Sequence, residues 1–218
     1  MATLDEICNK YGHGNAMNPK TGRKHEGGDK GNKYHNYLMK YEQLFKTLKD
    51  DKISLLEIGV LEGRSIALWA DYFVNGTIVG VDTSLKAFND HKPELLNQGA
   101  FAKNNNYHLI EGNSLDPEIK NKINSYGQFD IIIDDGDHLG TSQAKTFENL
   151  FYQYLKPGGI YIIEDCHVGF ISTYFAKQMD KCYKLILQKI NAKTSNNEYY
   201  KNVKSVEFYR RLIIIHKK

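Results

Sequence analysis

Residues 55–82 read LLEIGVLEGRSIALWADYFVNGTIVGVD. An apolar run opens the stretch and a turn with Gly59 and Gly63 follows; a helical pattern over about Ser65 to Tyr72 then leads to a second apolar run, Thr77 to Val81. This order predicts two parallel strands joined by a crossover helix. The glycines permit a tight turn and the close approach of a ligand to the backbone at the N-terminus of the helix.

The same alternation of strand and helix patterns continues along the chain. Strands are predicted at Ile53 to Val60, Thr77 to Val81, Tyr107 to Glu111, Phe129 to Ile133 and Gly159 to Glu164. Helices are predicted from Tyr37, at Ser65 to Tyr72, within Ser84 to Ala102, around Pro117 to Ser125, at Thr141 to Leu155 and near Phe175 to Ile190. The C-terminal sequence VKSVEFYRRLIIIHKK predicts a closing antiparallel hairpin. We therefore expect an α/β fold with a mainly parallel seven-stranded sheet.

The composition of the chain fits one globular domain. Of its 218 residues, 41% are hydrophobic and 25% are charged. We expect residues 37–218 to form this domain and residues 1–36, which are polar from Tyr11 onward, to form a separate N-terminal segment. No apolar run is long enough to span a bilayer and the N-terminus lacks the pattern of a signal peptide, so we expect a cytoplasmic location without membrane contact.

Charge and cysteine content argue against a nucleic-acid-binding protein, a disulfide framework and a zinc site. The net charge of +3 is spread along the chain, whereas a nucleic-acid partner usually requires a concentrated basic face. Cys8, Cys166 and Cys182 are widely separated and lack CxxC spacing. Neither a disulfide framework nor a zinc site is therefore predicted.

Two acids distinguish which nucleoside cofactor suits the turn. Asp82 closes the second strand, where a carboxylate can accept hydrogen bonds from both ribose hydroxyls of NAD or S-adenosylmethionine. Glu57 lies at the turn, where a carboxylate would oppose a dinucleotide pyrophosphate but not the sulfonium and ammonium groups of S-adenosylmethionine. The full GxGxxG pattern is also absent. We therefore expect S-adenosylmethionine.

A purely structural interpretation of this region stays open. In it the glycines form only a strand-to-helix turn and Asp82 caps the following helix. On the functional interpretation, polar groups after the third strand reach the adenine amino group. The residues expected at the cofactor are Glu57, Gly59, Gly63, Ser65, Asp82, Asn113, Ser114 and Asp134.

Acids and histidines follow two later strands. The segments 129–138, FDIIIDDGDH, and 159–167, GIYIIEDCH, contain Asp134, Asp135, Asp137, His138, Glu164, Asp165 and His167. Carboxyl ends of parallel strands meet at one edge of a sheet, and carboxylate oxygens suit Mg²⁺ or a similar divalent ion. Such an ion would lower the pKa of a substrate hydroxyl, and His138 could take the proton of that hydroxyl as general base. The alternative is that Asp137 or His138 caps the helix beginning near Thr141, which explains the Glu164–Asp165 pair poorly.

Together these segments resemble the bacterial macrolide and sugar O-methyltransferase family, whose relatives are the cephalosporin-biosynthesis methyltransferase-like proteins. The resemblance rests on Asp29-Lys30-Gly31, His35-Asn36-Tyr37, LLEIGVLEGRSIALWADYF, FDIIIDDGDH and LKPGGIYIIED. It covers roughly Asp29 to Asp165, and its specific parts are the DDGxH and ED elements. No Pro-Pro-aromatic motif follows the fourth strand, so an oxygen rather than an amino nitrogen is the expected methyl acceptor.

The resemblance implies a Rossmann-like class I methyltransferase fold that uses S-adenosylmethionine. It implies a divalent metal, Mg²⁺ or similar, held by Asp135, Glu164 and Asp165, with His138 as catalytic base and Asp135 as its catalytic companion. The family position between Gly136 and His138 is often serine, and Asp137 is left off the ligand set.

The resemblance also implies an acceptor and an assembly. The acceptor is a glycan or a glycosylated small molecule methylated at a sugar hydroxyl, and family members tend to be homo-oligomers. The stretch Asp29 to Tyr37 is expected to fold over the active site as a lid, with disorder as the alternative. Because the large N-terminal domain of some macrolide enzymes has no counterpart here, we expect a sugar hydroxyl in general rather than a macrolide.

Three other functions compete with this one. An RNA or cap O-methyltransferase would bind RNA in a salt-sensitive manner, which the diffuse charge disfavours. A noncatalytic module with the same fold would have no need of the acids and histidine at the strand ends. A nicotinamide-dependent dehydrogenase requires a phosphate cradle that Glu57 opposes.

Overall fold

The computed structural model describes residues 2–11, 30–31, 35–166, 184, 188 and 202–218. Its helices are α1 Leu4–Lys10, α2 Leu38–Phe45, α3 Arg64–Tyr72, α4 Lys86–Asn97, α5 Pro117–Asn124 and α6 Gly140–Tyr154. Its strands are β1 Ser54–Ile58, β2 Thr77–Asp82, β3 Tyr107–Glu111, β4 Phe129–Asp134, β5 Leu155–Ile163, β6 Val203–Tyr209 and β7 Leu212–Lys217.

The seven strands form one sheet in the order β3-β2-β1-β4-β5-β7-β6. Strands β1, β4 and β5 pair in parallel, whereas β7 pairs antiparallel with both β5 and β6. The predicted α/β fold with a C-terminal antiparallel hairpin is confirmed. None of the described helices is long and apolar enough to cross a membrane.

The chain divides into two compact units. The first comprises Met1–Ile53, Val60–Gly80 and Ser84–Leu109, and the second comprises Ser54–Gly59, Val81–Thr83 and Ile110–Lys218. All seven strands contribute to the second unit, β2 and β3 with their carboxyl ends. The carboxyl edge of the sheet therefore belongs to one unit.

Aromatic side chains form the core of the first unit. Tyr41 and Phe45 of α2 stack with ring centroids 5.3 Å apart, and Trp69 of α3 meets Tyr41 edge-on at 5.5 Å. All three are fully buried. Sequence analysis did not predict α1, although Thr3 and Glu6 form a capping box, whose T-x-x-E pattern is a recognisable helix start.

The second unit is built around β4. Ile131, Ile132 and Ile133 are completely buried, which places apolar side chains on both faces of the strand. A continuous apolar run rather than alternation is typical of strands covered on both faces. Phe147 of α6 packs edge-on against Tyr161 of β5 with centroids 5.3 Å apart, so α6 covers one face of this part of the sheet.

The register of the parallel strands sets which residues meet at the carboxyl edge. Ile58 lies opposite Asp134, and Asp134 lies opposite Ile163. The ladder continues one residue further, because Asp135 N donates to Ile58 O at 2.8 Å and Glu164 N donates to Asp134 O at 2.9 Å. Asp135 and Glu164 are consequently neighbours just beyond the strands.

Several predicted boundaries differ from the observed ones. Helix α4 ends at Asn97 rather than near Ala102, because Gly99 takes a left-handed φ of 76° and Ala100 N turns back to Leu95 O at 2.9 Å. Strand β5 begins at Leu155 rather than at Gly159.

Other predictions fall outside the described residues. Of the helix predicted near Phe175 to Ile190, only Lys184 and Gln188 are described, and both are helical. Within the predicted lid, residues 29 and 32–34 lie outside the described residues. The lid and the division into residues 1–36 and 37–218 stay predictions.

We predict that Gly59→Ala destabilises the protein far more than Gly127→Ala. Both glycines have left-handed φ values, 95° and 79°, so each substitution incurs about 1–2 kcal/mol of backbone strain. A Cβ at Gly59 would also lie 2.1 Å from the Asp135 carbonyl oxygen, whereas one at Gly127 meets nothing within 4 Å. Urea denaturation should show a loss of about 3 kcal/mol or more for Gly59→Ala. Equal losses for the two variants would contradict the close approach.

Candidate functional site

Carboxylates are concentrated at the carboxyl edge of the second unit. Glu57, Asp134, Glu164 and Asp165 are buried, and Asp135 is half-buried. Ionised carboxylates this close together repel one another, and burying them is costly without a compensating positive charge. The arrangement therefore suits a cation or a positively charged ligand.

Asp135 belongs to two sets of possible metal ligands. In one set its carboxylate and the donor atoms of His138 and Asp165 all lie within 4.8 Å of one another. In the other set its carboxylate is joined by those of Glu57 and Glu164, again within 4.8 Å. Neither set contains all three predicted metal ligands, because Glu164 and Asp165 belong to different sets that share Asp135. Glu57, predicted at the cofactor, lies beside two of these ligands.

Two site residues have unusual backbone conformations. His138 has a φ of 57° and Asp165 a φ of 52°, the left-handed region that costs a non-glycine residue about 1–2 kcal/mol. Strained conformations of this kind persist where surrounding contacts hold them, and they cluster at functional sites. His138 Nε2 lies 3.7 Å from Asp165 Oδ2, so the two strained residues bring an imidazole and a carboxylate together.

Asp134 is a buried acid with an unusual proton affinity. Burial raises its pKa to about 7. The Gly136 N–H donates to Asp134 Oδ1 at 3.3 Å and opposes this rise, whereas the negative charge of Asp137 adds to it. Within the described part of the chain, no group hydrogen-bonds to its buried Oδ2. A buried acceptor of this kind calls for a donor, which a bound ligand can supply.

Asp137 has a local structural role. Its Oδ1 accepts a hydrogen bond from Leu139 N at 3.0 Å, and its side chain is exposed. Helix α6 begins at Gly140 with Leu139 as N-cap and without a side-chain cap. The alternative that Asp137 or His138 caps this helix is therefore wrong, and Asp137 instead fixes the turn that precedes it.

Packing within each unit explains the glycines of the turn. Gly59 accommodates the Asp135 carbonyl, as described above. In the first unit, a Cβ at Gly63 would lie 2.3 Å from the Phe88 ring, and Gly63 has a φ of 81°. The structural interpretation of the two glycines is thus supported, and their contact with a cofactor stays a prediction, as does that of half-buried Ser65.

The carboxyl ends of β2 and β3 place the remaining predicted cofactor residues in the second unit. Gly112 N donates to Asp82 O at 2.7 Å, which ties the two strand ends together. The N-cap of α4 is Leu85 and has no side-chain cap, so the alternative that Asp82 caps this helix is wrong. Asn113 is exposed and its Oδ1 accepts from Leu115 N at 2.9 Å, while Ser114 is buried.

Sequence analysis missed one residue that contacts the site. Gln143 of α6 is buried, and its Nε2 donates to the Glu164 carbonyl oxygen at 2.9 Å. A glutamine within an amphipathic helix carries no sequence signal for such a role. Only the packing of α6 against the end of β5 reveals it.

Comparison with known proteins agrees with this architecture. The chain matches the family model described as "Methyltransferase domain" over residues 56–166, about half of its length, and it belongs to that family. It is similar to a solved structure of the MycE methyltransferase from the mycinamycin biosynthetic pathway in complex with Mg, SAH and mycinamycin VI. The TM-score is 0.58 and the identity 25%, covering 83% of this chain and 45% of that one.

Two curated relatives are O-methyltransferases by name. Mycinamicin VI 2''-O-methyltransferase of Micromonospora griseorubida is 32% identical over 60% of this chain and 31% of its own length. The 8-demethyl-8-alpha-L-rhamnosyl tetracenomycin-C 2'-O-methyltransferase of Streptomyces olivaceus is 30% identical over 62% of this chain and 34% of its own length. The chain spans about a third of the length of these relatives.

We predict that Asp134 makes the stability of the metal-free protein fall with pH. With its pKa raised to about 7, the folded state keeps a proton that the unfolded chain releases above about pH 4. The free energy of unfolding therefore falls between about pH 4 and pH 7, by up to about 1.4 kcal/mol per pH unit. Asp134→Asn should remove this contribution in urea titrations with EDTA, and Asp116→Asn, at an exposed position, should not. Parallel pH profiles for the two variants would exclude a raised pKa at Asp134.

Proposed function

We propose that the protein is an S-adenosylmethionine- and divalent-metal-dependent O-methyltransferase that acts on a sugar hydroxyl of a glycosylated small molecule or polysaccharide. The observation that carries this proposal is the position of Asp135, whose carboxylate lies within 4.8 Å of donor atoms of His138 and Asp165 and of Glu57 and Glu164. One residue thus joins a candidate base, candidate metal ligands and a candidate cofactor acid.

The hydrogen-bond acceptors at this edge of the sheet fit S-adenosylmethionine. The cofactor carries a sulfonium whose methyl group is the one transferred, an ammonium and two ribose hydroxyls. Buried Glu57 and Asp134 offer carboxylate oxygens to the positive groups, and half-buried Asp82, at the end of β2, offers its own to the ribose. The Oδ2 of Asp134, for which the described residues supply no donor, fits such a ligand well.

The donor set also fits a divalent cation. Asp135, Glu164 and Asp165 offer hard carboxylate oxygens, which Mg²⁺ prefers over nitrogen and sulfur ligands. Bound there, the cation would supply positive charge that lowers the pKa of the acceptor hydroxyl. The MycE complex that contains Mg is consistent with this assignment.

His138 is the proposed general base. Its Nε2 faces the Asp165 carboxylate at 3.7 Å, which stabilises the imidazolium that forms when the ring takes the hydroxyl proton. Bound S-adenosylmethionine would supply the methyl group to the acceptor oxygen and become S-adenosylhomocysteine, while His138 would hold the proton that the hydroxyl loses. Burial of the neighbouring carboxylates strengthens their effect on this charge, because water screens it less.

The class of acceptor is inferred from the relatives. Those named above act on mycinamicin VI and on a rhamnosyl tetracenomycin, and the MycE complex contains mycinamycin VI. Both relatives are named as O-methyltransferases, and the proposal assigns a sugar hydroxyl, such as that of a rhamnosyl group, to this chain. A cytoplasmic homo-oligomer without nucleic-acid partner completes it, and size-exclusion chromatography with light scattering tests the assembly.

We predict that His138→Ala abolishes methyl transfer while S-adenosylmethionine affinity stays within about twofold, because the base is needed for chemistry and not for cofactor binding. A matched control is His216→Ala. His216 lies opposite Ile160 of β5, three residues before the end of that strand, and so below the carboxyl edge that carries the site. Mass spectrometry of glycosylated acceptors measures the transfer, and calorimetry measures the affinity. Wild-type activity in His138→Ala, or methylation of RNA instead of glycosides, would refute the proposal.

We predict that turnover requires a divalent ion bound through Asp135. EDTA should stop methylation, and added Mg²⁺ should restore it. Asp135→Asn removes a charged ligand, so it should weaken Mn²⁺ binding at least about tenfold in an electron paramagnetic resonance titration. Asp137→Asn is the matched control, because the exposed Asp137 side chain accepts a hydrogen bond from Leu139 N and the amide oxygen of asparagine can accept the same bond. Activity that persists in EDTA would remove the metal from the proposal.

A further inference from the structure

The consecutive residues Glu164 and Asp165 each place a carboxylate oxygen near that of Asp135, which an extended strand does not allow. In a regular strand successive side chains point to opposite faces of the sheet. Here, however, a carboxylate oxygen of each residue lies within 4.8 Å of the carboxylate of Asp135. The left-handed φ of 52° at Asp165 breaks the alternation and explains how both acids reach the same neighbour.

Hydrogen bonds hold the two peptide groups that flank Asp165. The carbonyl of the Glu164–Asp165 peptide accepts from Gln143 Nε2 at 2.9 Å. The N–H of the Asp165–Cys166 peptide donates to Arg211 O at 2.9 Å. Because these planes define φ and ψ of Asp165, the two bonds hold it in its strained conformation. Only the first of them comes from a side chain.

We propose that Gln143 is a positioning residue for the metal site: its amide fixes the Glu164–Asp165 peptide so that both carboxylates face Asp135. The inference rests on the proposed metal-dependent function and goes beyond it by assigning a role to a residue of α6 that is no ligand itself. Residues that orient metal ligands typically change metal affinity 10- to 100-fold when they are replaced. Without the Gln143 donor, the Glu164 carbonyl keeps the weaker hydrogen bond from the Cys166 thiol at 3.9 Å, so the peptide is freer to rotate toward an extended conformation that would turn one carboxylate away.

The burial of Gln143 supports this role. Its side chain is 2% exposed, although a buried amide is costly unless it is hydrogen-bonded. Thr146, one turn further along α6, is also buried and polar, but its hydroxyl donates to Ser142 O at 3.0 Å within the helix. The two residues therefore differ in whether their polar group contacts the strand end or the helix itself.

The test compares Gln143→Met with Thr146→Val. Both remove a buried hydrogen-bonding group from α6 at similar volume, so both lower the melting temperature. Only Gln143→Met should weaken Mn²⁺ binding, by about tenfold or more in an electron paramagnetic resonance titration, while S-adenosylhomocysteine affinity without metal stays within about twofold. Gln143→Asn, whose shorter amide does not span the distance, should show the same pattern and serves if the methionine variant does not fold.

The outcomes separate this inference from the proposed function. If the wild-type protein binds no Mn²⁺, the metal-dependent function fails and this inference fails with it. If the wild type binds Mn²⁺ and both Gln143 variants bind it equally well, the metal site stands and the role of Gln143 is overturned. An equal loss in Thr146→Val would also overturn it, because the effect would then reflect stability of α6 alone.

Discussion

Two backbone hydrogen bonds beyond the strand ends, Asp135 N to Ile58 O and Glu164 N to Asp134 O, determine where the acids lie. Each extends a parallel ladder by one residue, so the first residues after β4 and β5 stay in register with their neighbours. The completely buried isoleucines of β4 stabilise the centre of this parallel sheet. The chemistry proposed for the edge therefore depends on the core beneath it.

This constraint also accounts for features that look unrelated. Gly59 has to lack a side chain because the ladder brings the Asp135 carbonyl against it. Asp165 has to leave the extended conformation if its carboxylate, like that of Glu164, is to lie near Asp135, and hydrogen bonds to Gln143 and Arg211 hold it there. Backbone strain at the edge is thus tolerated because regular hydrogen bonds surround it.

Much of the fold could be predicted from the sequence, because continuous apolar runs alternate with helical patterns. The run Phe129 to Ile133 predicts β4 almost to the residue, and the two acids after it predict the chemical edge. Helix α1 was missed since it is short, although its capping box was readable. Local pattern could not reveal the left-handed φ of Asp165 or the contact of Gln143, because both depend on hydrogen bonds between residues distant in sequence. The helix-capping alternatives for Asp82, Asp137 and His138 were wrong, because the N-caps of α4 and α6 are Leu85 and Leu139, without a side-chain cap.

The central claim is that one cation at this edge binds the acidic residues that follow β4 and β5. It is tested most directly by anomalous diffraction from crystals grown with Mn²⁺ and S-adenosylhomocysteine. The account predicts a single strong Mn²⁺ peak within coordination distance of Asp135, Glu164 and Asp165, about 2.0–2.6 Å from their oxygens, with the nucleoside against Asp82. A peak elsewhere, or no peak while the nucleoside is bound, would contradict it.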